Sequence, residues 1–290
     1  MKQIKHFAIF IFIIGMIAVV AAAYFLFIQE ETQIPEQVQQ EEKIYTKEYG
    51  NKKVFAIEPA EKNKDSKYIL YFHGGAYMGG LEKYHWKFIE KIAKQTGYGV
   101  IIPDYPLTPK NTYKDVFEMV EPLYQEIIKE IEPQNLIMMG DSAGGGLALA
   151  LEEKLGEENI EVPEKLILIS PWLDTTMTNP KIDKVQENDK DLSKEKLKIA
   201  GILYSGEKEN SSYLVNPING PINKLKNVTI YTGTYDILNP DAKDFVEKAK
   251  NEEIQITLKE YEKASHIWIL KNQDELATKA YEDLIIELKK

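Results

Sequence analysis

The stretch Leu136-Ile137-Met138-Met139-Gly140-Asp141-Ser142-Ala143-Gly144-Gly145-Gly146-Leu147 decides the fold. Four apolar residues read as a buried strand, and the Ala/Leu/Gly run that follows reads as a helix. Between them stands a G-x-S-x-G pattern. A hairpin this sharp leaves no room for side chains beside the serine. Gly140 and Gly144 therefore let the backbones approach, while Ser142 takes a strained conformation and presents its hydroxyl at the helix N-terminus. A plain Gly-rich strand-to-helix turn would bind anions without catalysis. No G-K-[ST] follows the glycines, so a phosphate-binding loop of the nucleoside-triphosphatase type is excluded.

Working outward, apolar runs alternate with amphipathic stretches. Strands are predicted near Val54–Ile57, Tyr68–Phe72, Val100–Ile102, Leu136–Met139, Leu166–Ser170, Val228–Thr232 and Ile254–Tyr261. Helices are predicted over Tyr84–Gln95, Thr112–Glu132, Ala143–Leu155, Lys194–Tyr204, Asp241–Lys250 and Asp274–Leu288. Nearly continuous apolar strands such as Tyr68-Ile-Leu-Tyr-Phe72 imply burial on both faces. The fold class is thus α/β, a mostly parallel central sheet with helices on both faces. A polar stretch at about 174–221 interrupts the alternation and is expected to form a reduced lid over the sheet edge where chemistry sits.

A strained serine invites a search for its partners. His73-Gly74-Gly75-Ala76-Tyr77 follows the second strand, where Gly74 and Gly75 are expected to donate N–H groups to a developing oxyanion, joined by the N–H of Ala143. The base must be a histidine. Of four, His6 lies in the N-terminal apolar region and His73 and His85 precede the serine. The chain order serine, acid, histidine leaves His266. Asp236 is the expected acid, because it emerges just beyond the strand at Val228–Thr232. Asp174 is its competitor, and Asp241 reads as a helix cap. Asp141 is expected to point away from Ser142 as a supporting residue, and His73 to brace its loop. Tyr77 and Trp172 are candidate substrate-binding residues, with aromatic core packing as the alternative reading.

Taken together, His73-Gly-Gly-Ala-Tyr77, Gly140-Asp-Ser-Ala-Gly-Gly145, Asp236 and His266 resemble the hormone-sensitive-lipase-like family of α/β-hydrolase fold esterases. The resemblance runs from about Tyr68 to Leu270. It implies hydrolysis of carboxylic esters through an acyl-enzyme, with Ser142, Asp236 and His266 as the triad and no metal or organic cofactor. Asp104-Tyr-Pro-Leu-Thr-Pro109 is similar to the family's Asp-Tyr-Arg-Leu-Ala-Pro-Glu element, but Pro106 stands for the Arg and Lys110 for the Glu. An amidase or peptidase, a glycan deacetylase, or an inactive membrane-tethered binding protein remain alternatives, since fold alone does not choose.

The chain has 290 residues and a formal net charge of −10, with no Cys and, among its basic residues, no Arg. These absences exclude a disulfide framework, a thiolate nucleophile and a guanidinium clamp, and the acidity speaks against nucleic-acid partners. They point instead to a small neutral ester as substrate. Phe7 to Ile28 is an uncharged apolar run of 22 residues, preceded by Lys2 and Lys5 and followed by Glu30 and Glu31. That length and asymmetry predict a membrane-spanning helix (1–28) with a cytoplasmic N-terminus and the body outside. A cleaved signal peptide at Ala21-Ala22-Ala23, giving a secreted protein, is the alternative. A solvated tether is expected over 29–50 and the catalytic domain over 51–290. Charged stretches such as Glu152-Glu153-Lys154 are expected to be solvated helix faces. The oligomeric state is not legible.

Overall fold

The structure is a computed structural model that describes residues 32–41, 44–50, 52–207 and 211–290. In chain order the strands are β1 (Ile44–Tyr49), β2 (Lys52–Ile57), β3 (Tyr68–Phe72), β4 (Gly99–Pro103), β5 (Leu136–Asp141), β6 (Lys165–Ile169), β7 (Val228–Gly233) and β8 (Ile256–Tyr261). The α-helices are α1 (Glu36–Glu41), α2 (Lys83–Thr96), α3 (Tyr113–Glu130), α4 (Ala143–Glu157), α5 (Ile182–Gln186), α6 (Lys194–Ser205), α7 (Asn239–Asn251), α8 (Trp268–Lys271) and α9 (Glu275–Lys289). The strands form one sheet in the order β1-β2-β4-β3-β5-β6-β7-β8. It is parallel from β4 to β8, while β2 runs antiparallel to both β1 and β4.

The apolar strands are buried on both faces, as their sequences require. Leu70, Phe72, Leu136, Met138, Leu166 and Leu168 face a core shared with residues of α3, α4 and α7. Their alternates Ile69, Tyr71, Ile137, Met139, Ile167 and Ile169 face a second core with residues of α2 and α9. Each such side chain taken out of water contributes about 1.5–3 kcal/mol, which is why the central strands tolerate no polar alternation.

Two expectations are corrected. The tether expected over 29–50 contains α1 and the edge strand β1, with Ile44 opposite Ile57 and Tyr49 opposite Lys52, so the sheet begins before residue 51. Four of the six β1 residues are exposed, which leaves no apolar alternation to read, and the strand rests on its ladder with β2. Glu152 and Glu153, expected on a solvated face, are buried at 0% and 1% exposure. They lie on α4, which is enclosed along nearly its whole length, and the backbone at Gly220 packs against the Glu153 carboxylate. The segment 1–28, expected to span a membrane, lies outside the described residues. Among the described residues no helix is long and apolar enough to cross a membrane.

Candidate active site

The turn between β5 and α4 carries the serine. Ser142 has φ 52° and ψ −121°, a conformation sparsely populated by non-glycine residues and costing about 1–3 kcal/mol. The surrounding packing enforces it. A Cβ on Gly140 would stand 2.3 Å from the Gly144 carbonyl oxygen, and one on Gly144 would stand 2.1 Å from that of Phe72. No residue larger than glycine fits either place. The elbow is held from the neighbouring strand, because Ser142 N–H donates to Ile169 O at 2.9 Å and Trp172 N–H donates to Ser142 O at 2.9 Å.

His266 arrives from the loop after β8, and Asp236 from the loop after β7. The His266 Nε2 to Ser142 Oγ distance is 2.9 Å, and His266 Nδ1 lies 2.9 Å from Asp236 Oδ2. All three side chains are buried, Asp236 fully. The Asp236 carboxylate fixes the tautomer, with the proton on Nδ1, so Nε2 is free to accept from the serine. The two supporting loops are tied together. Thr234 N–H donates to Tyr261 O and Tyr235 N–H to Ala264 O, both at 3.0 Å. Close approach of these loops requires Gly233, since a Cβ there would meet Ala264 O at 2.1 Å. Ser170 adds a further brace, accepting the N–H of Ile267, next to the histidine, at 3.1 Å. Asp174, the competing acid, instead accepts from Thr176 N–H and Oγ. Asp241 is not a cap. It sits inside the first turn of α7, bonded to Asn179, and burial together with Asp174 and Asp244 pushes its carboxyl up to about 7.

The glycine loop departs from expectation in one respect. Gly74 N–H donates to Asp141 Oδ1 at 3.0 Å, so it is occupied. Gly74 is buried, whereas Gly75 and Ala76 are partly accessible, and among the described residues the N–H groups of Gly75, Ala76 and Ala143 meet no protein acceptor. The N–H groups left open are therefore those of Gly75, Ala76 and Ala143, while that of Gly74, the remaining expected donor, is taken by Asp141. Gly75 has φ 118°, accessible in practice to glycine alone, and Ala76 and Tyr77 follow with φ 54° and 60°. Spacing in the sequence does not reveal which glycine N–H turns inward. The clue was Asp141, whose buried carboxylate needs donors.

Behind the loop lies a polar cluster. Asp141 Oδ1 also accepts from Tyr71 Oη at 2.5 Å, and Oδ2 approaches His85 Nε2 to 3.4 Å. Burial raises the Asp141 carboxyl, but His85 and Tyr71 outweigh it and hold the group below its ordinary value. His73 Nδ1 donates to Gly74 O at 2.7 Å, and Tyr105 stacks on the His73 ring and donates to His73 O at 2.6 Å. Burial, with His85 second, lowers His73 to about 4, so it is neutral and braces the loop. Tyr105 and the bond from Thr108 N–H to Tyr77 O tie the Asp104–Pro109 element to the glycine loop. Tyr77 and Trp172 are fully enclosed, at 1% and 0% exposure. Tyr77 stacks on Tyr204 of α6 at 3.5 Å between centroids and on Trp172 at 5.7 Å. Aromatic packing, the alternative reading, describes them, and the stack fixes α6 of the 174–221 stretch against the oxyanion loop. Among the described residues no three His, Cys, Asp or Glu side chains are grouped to hold a metal.

A family profile described as alpha/beta hydrolase fold matches residues 69–270. An esterase of Acinetobacter venetianus is 33% identical over 196 residues, which cover 67% of this chain and 64% of that protein. A triacylglycerol lipase of Mycobacterium tuberculosis is 29% identical over 195 residues, covering 67% of this chain and 40% of its own. The matched segment thus spans less than two thirds of these curated relatives' length. A crystal structure from Staphylococcus aureus, provisionally described as an esterase, superposes with a TM-score of 0.81 at 27% identity, covering 90% of this chain and 86% of that one.

Proposed function

This chain belongs to the alpha/beta hydrolase fold family, and we propose on that premise that it is a serine esterase, cleaving neutral carboxylic esters of short or medium acyl chain. The observation that carries the reading is the continuous relay from Ser142 Oγ through His266 to Asp236, two contacts of 2.9 Å, beside N–H groups that meet no protein acceptor among the described residues. His266 Nε2 takes the serine proton as Oγ attacks the ester carbonyl, and Asp236 stabilises the imidazolium that forms. The N–H groups of Gly75, Ala76 and Ala143 receive the oxyanion. Collapse returns the proton to the leaving alcohol and leaves an acyl-Ser142, which water hydrolyses by the same route. The names of the relatives, esterase and triacylglycerol lipase, agree with this chemistry. With no Arg and a net charge of −10, the chain favours neutral over anionic esters.

The 22-residue apolar run Phe7 to Ile28, preceded by Lys2 and Lys5, supports the further reading of a single-pass membrane anchor with a cytoplasmic N-terminus and the body outside. The stretch 174–221, through α6, covers the site as a thin lid. The test is a panel of p-nitrophenyl acetate and butyrate, peptide anilides and acetylated sugars, with the full chain and its Ser142→Ala variant. Hydrolysis of the short esters, reduced by at least about 10³-fold in the variant, is expected. A serine-dependent rate on anilides or acetylated sugars alone would transfer the activity to an amidase or a deacetylase.

A further inference from the structure

One buried carboxylate beside the triad has no part in the chemistry above. Asp189 belongs to the loop between α5 and α6, within the 174–221 stretch, and is 5% exposed. Its Oδ1 accepts the N–H groups of Asp191 at 2.8 Å and Leu192 at 2.9 Å, which shapes its own loop. Its Oδ2 leaves that loop and accepts the N–H of Ile237 at 2.8 Å. Ile237 directly follows the triad acid. Asp236 itself accepts the N–H of Leu238 at 2.9 Å through Oδ1, the oxygen that does not face His266. The turn 236–238 is therefore held by two carboxylates, one of them its own and one from the lid stretch.

Burying a carboxylate is expensive unless every lone pair finds a donor, and here the donors are three backbone N–H groups. Burial raises the Asp189 carboxyl and the nearby charge of Asp236 adds to it, while the three N–H groups pull it down. A neutral side chain of similar size would satisfy the Asp191 and Leu192 N–H groups without that cost. What a carboxylate adds is a second oxygen, and that oxygen reaches Ile237.

We propose that Asp189 is a positioning residue of the active site, acting through Asp236 by fixing the turn from which the triad acid reaches His266. The inference rests on the serine-hydrolase reading above. It makes the 174–221 stretch part of the catalytic scaffold as well as its cover, since a displacement of the Asp189 loop is felt at the acid. A shift of about 1 Å at a catalytic group costs on the order of 100-fold in rate.

The experiment is a double-mutant cycle on the full chain with p-nitrophenyl butyrate, comparing wild type, Asp189→Asn, Asp236→Asn and the double variant. Asp189→Asn is expected to lower kcat by about 10- to 100-fold with KM within about threefold. In the Asp236→Asn background the same change is expected to cost less than about threefold, because the residue it acts through is already disabled. Equal losses in both backgrounds, or a kcat within threefold of wild type, would overturn the proposal. Should the Asn variant not fold, Asp189→Glu, which retains the charge and displaces the carboxylate by one methylene, is expected to show the same non-additivity. The low-field proton resonance of the His266–Asp236 hydrogen bond gives a readout that needs no substrate. It is expected to shift or broaden in Asp189→Asn, and an unchanged resonance overturns the proposal even if the ester reading itself fails.

Discussion

Gly74→Ala tests how the oxyanion loop is held. A Cβ at this position would stand 2.3 Å from Asp141 Oδ2, 3.0 Å from Ser142 Cβ and 3.1 Å from Asp141 O. Restoring an ordinary carbon–oxygen contact of about 3.3 Å to the first of these requires a movement of about 1 Å. Asp141 cannot supply it. Its carboxylate is fully buried, bonded to Tyr71 Oη and Gly74 N–H, and approached by His85. The glycine loop must therefore move, and with it the N–H groups of Gly75 and Ala76. Gly74 is not in the left-handed region, so the substitution adds no backbone strain of its own. The expected result is a fall in kcat of about 100-fold, the cost of misplacing donors by about 1 Å, with KM changed only a few-fold because the loss is concentrated in the transition state. Steady-state kinetics on p-nitrophenyl butyrate, with thermal unfolding to establish that the variant is folded, make the measurement. A folded variant whose kcat lies within threefold of wild type would refute the coupling of Asp141, Gly74 and the oxyanion donors.

Glu152→Gln addresses the buried helix α4. Burial, only partly offset by Lys226, pushes the Glu152 carboxyl from 4.5 up to about 8. The folded chain thus keeps a proton that the unfolded chain releases, and wild-type stability falls as pH rises from about 4.5 to about 8. Denaturant unfolding is expected to show the variant more stable by about 3 kcal/mol at pH 7 and not at pH 4, and a pH-independent difference would contradict a neutral buried acid. Tyr105→Phe leaves the ring stack on His73 and deletes the donor to His73 O, stranding a buried carbonyl. A loss of about 1–3 kcal/mol in the same assay is expected. Gly144→Ala forces a Cβ to 2.1 Å from Phe72 O, backbone that cannot swing aside, so the variant should lose cooperative unfolding or its activity.

The parts of this protein legible in its sequence are those where local chemistry and packing agree. The inner strands of the parallel sheet, β3 to β7, announce themselves because they are buried on both faces. The elbow announces itself because only glycine fits at 140 and 144. His266 follows by elimination among four histidines, and Asp236 by its place at the end of β7. What stayed hidden depends on contacts between distant segments. The edge strand Ile44–Tyr49 has no apolar period, and only its pairing with β2 makes it a strand. Glu152 and Glu153 are of a residue type that ordinarily marks solvent, and only the tertiary packing around α4, with the Gly220 backbone against Glu153, buries them. Asp141, 67 residues away, claims the Gly74 N–H, which leaves that of Ala76 open beside that of Gly75. Tyr204 and Asp189 lie in a polar stretch whose sequence gives no sign that one ring stacks on Tyr77 of the glycine loop and that one carboxylate accepts the N–H of Ile237.

The central claim is that Ser142 is a nucleophile activated by His266. Its most direct measurement is labelling of the folded full chain by a fluorophosphonate, read by mass spectrometry of the intact protein and its peptides. One adduct per chain, located at Ser142 and abolished or slowed by orders of magnitude in His266→Ala, is the predicted result. An unlabelled wild-type protein, or labelling at an unchanged rate without the histidine, would contradict it.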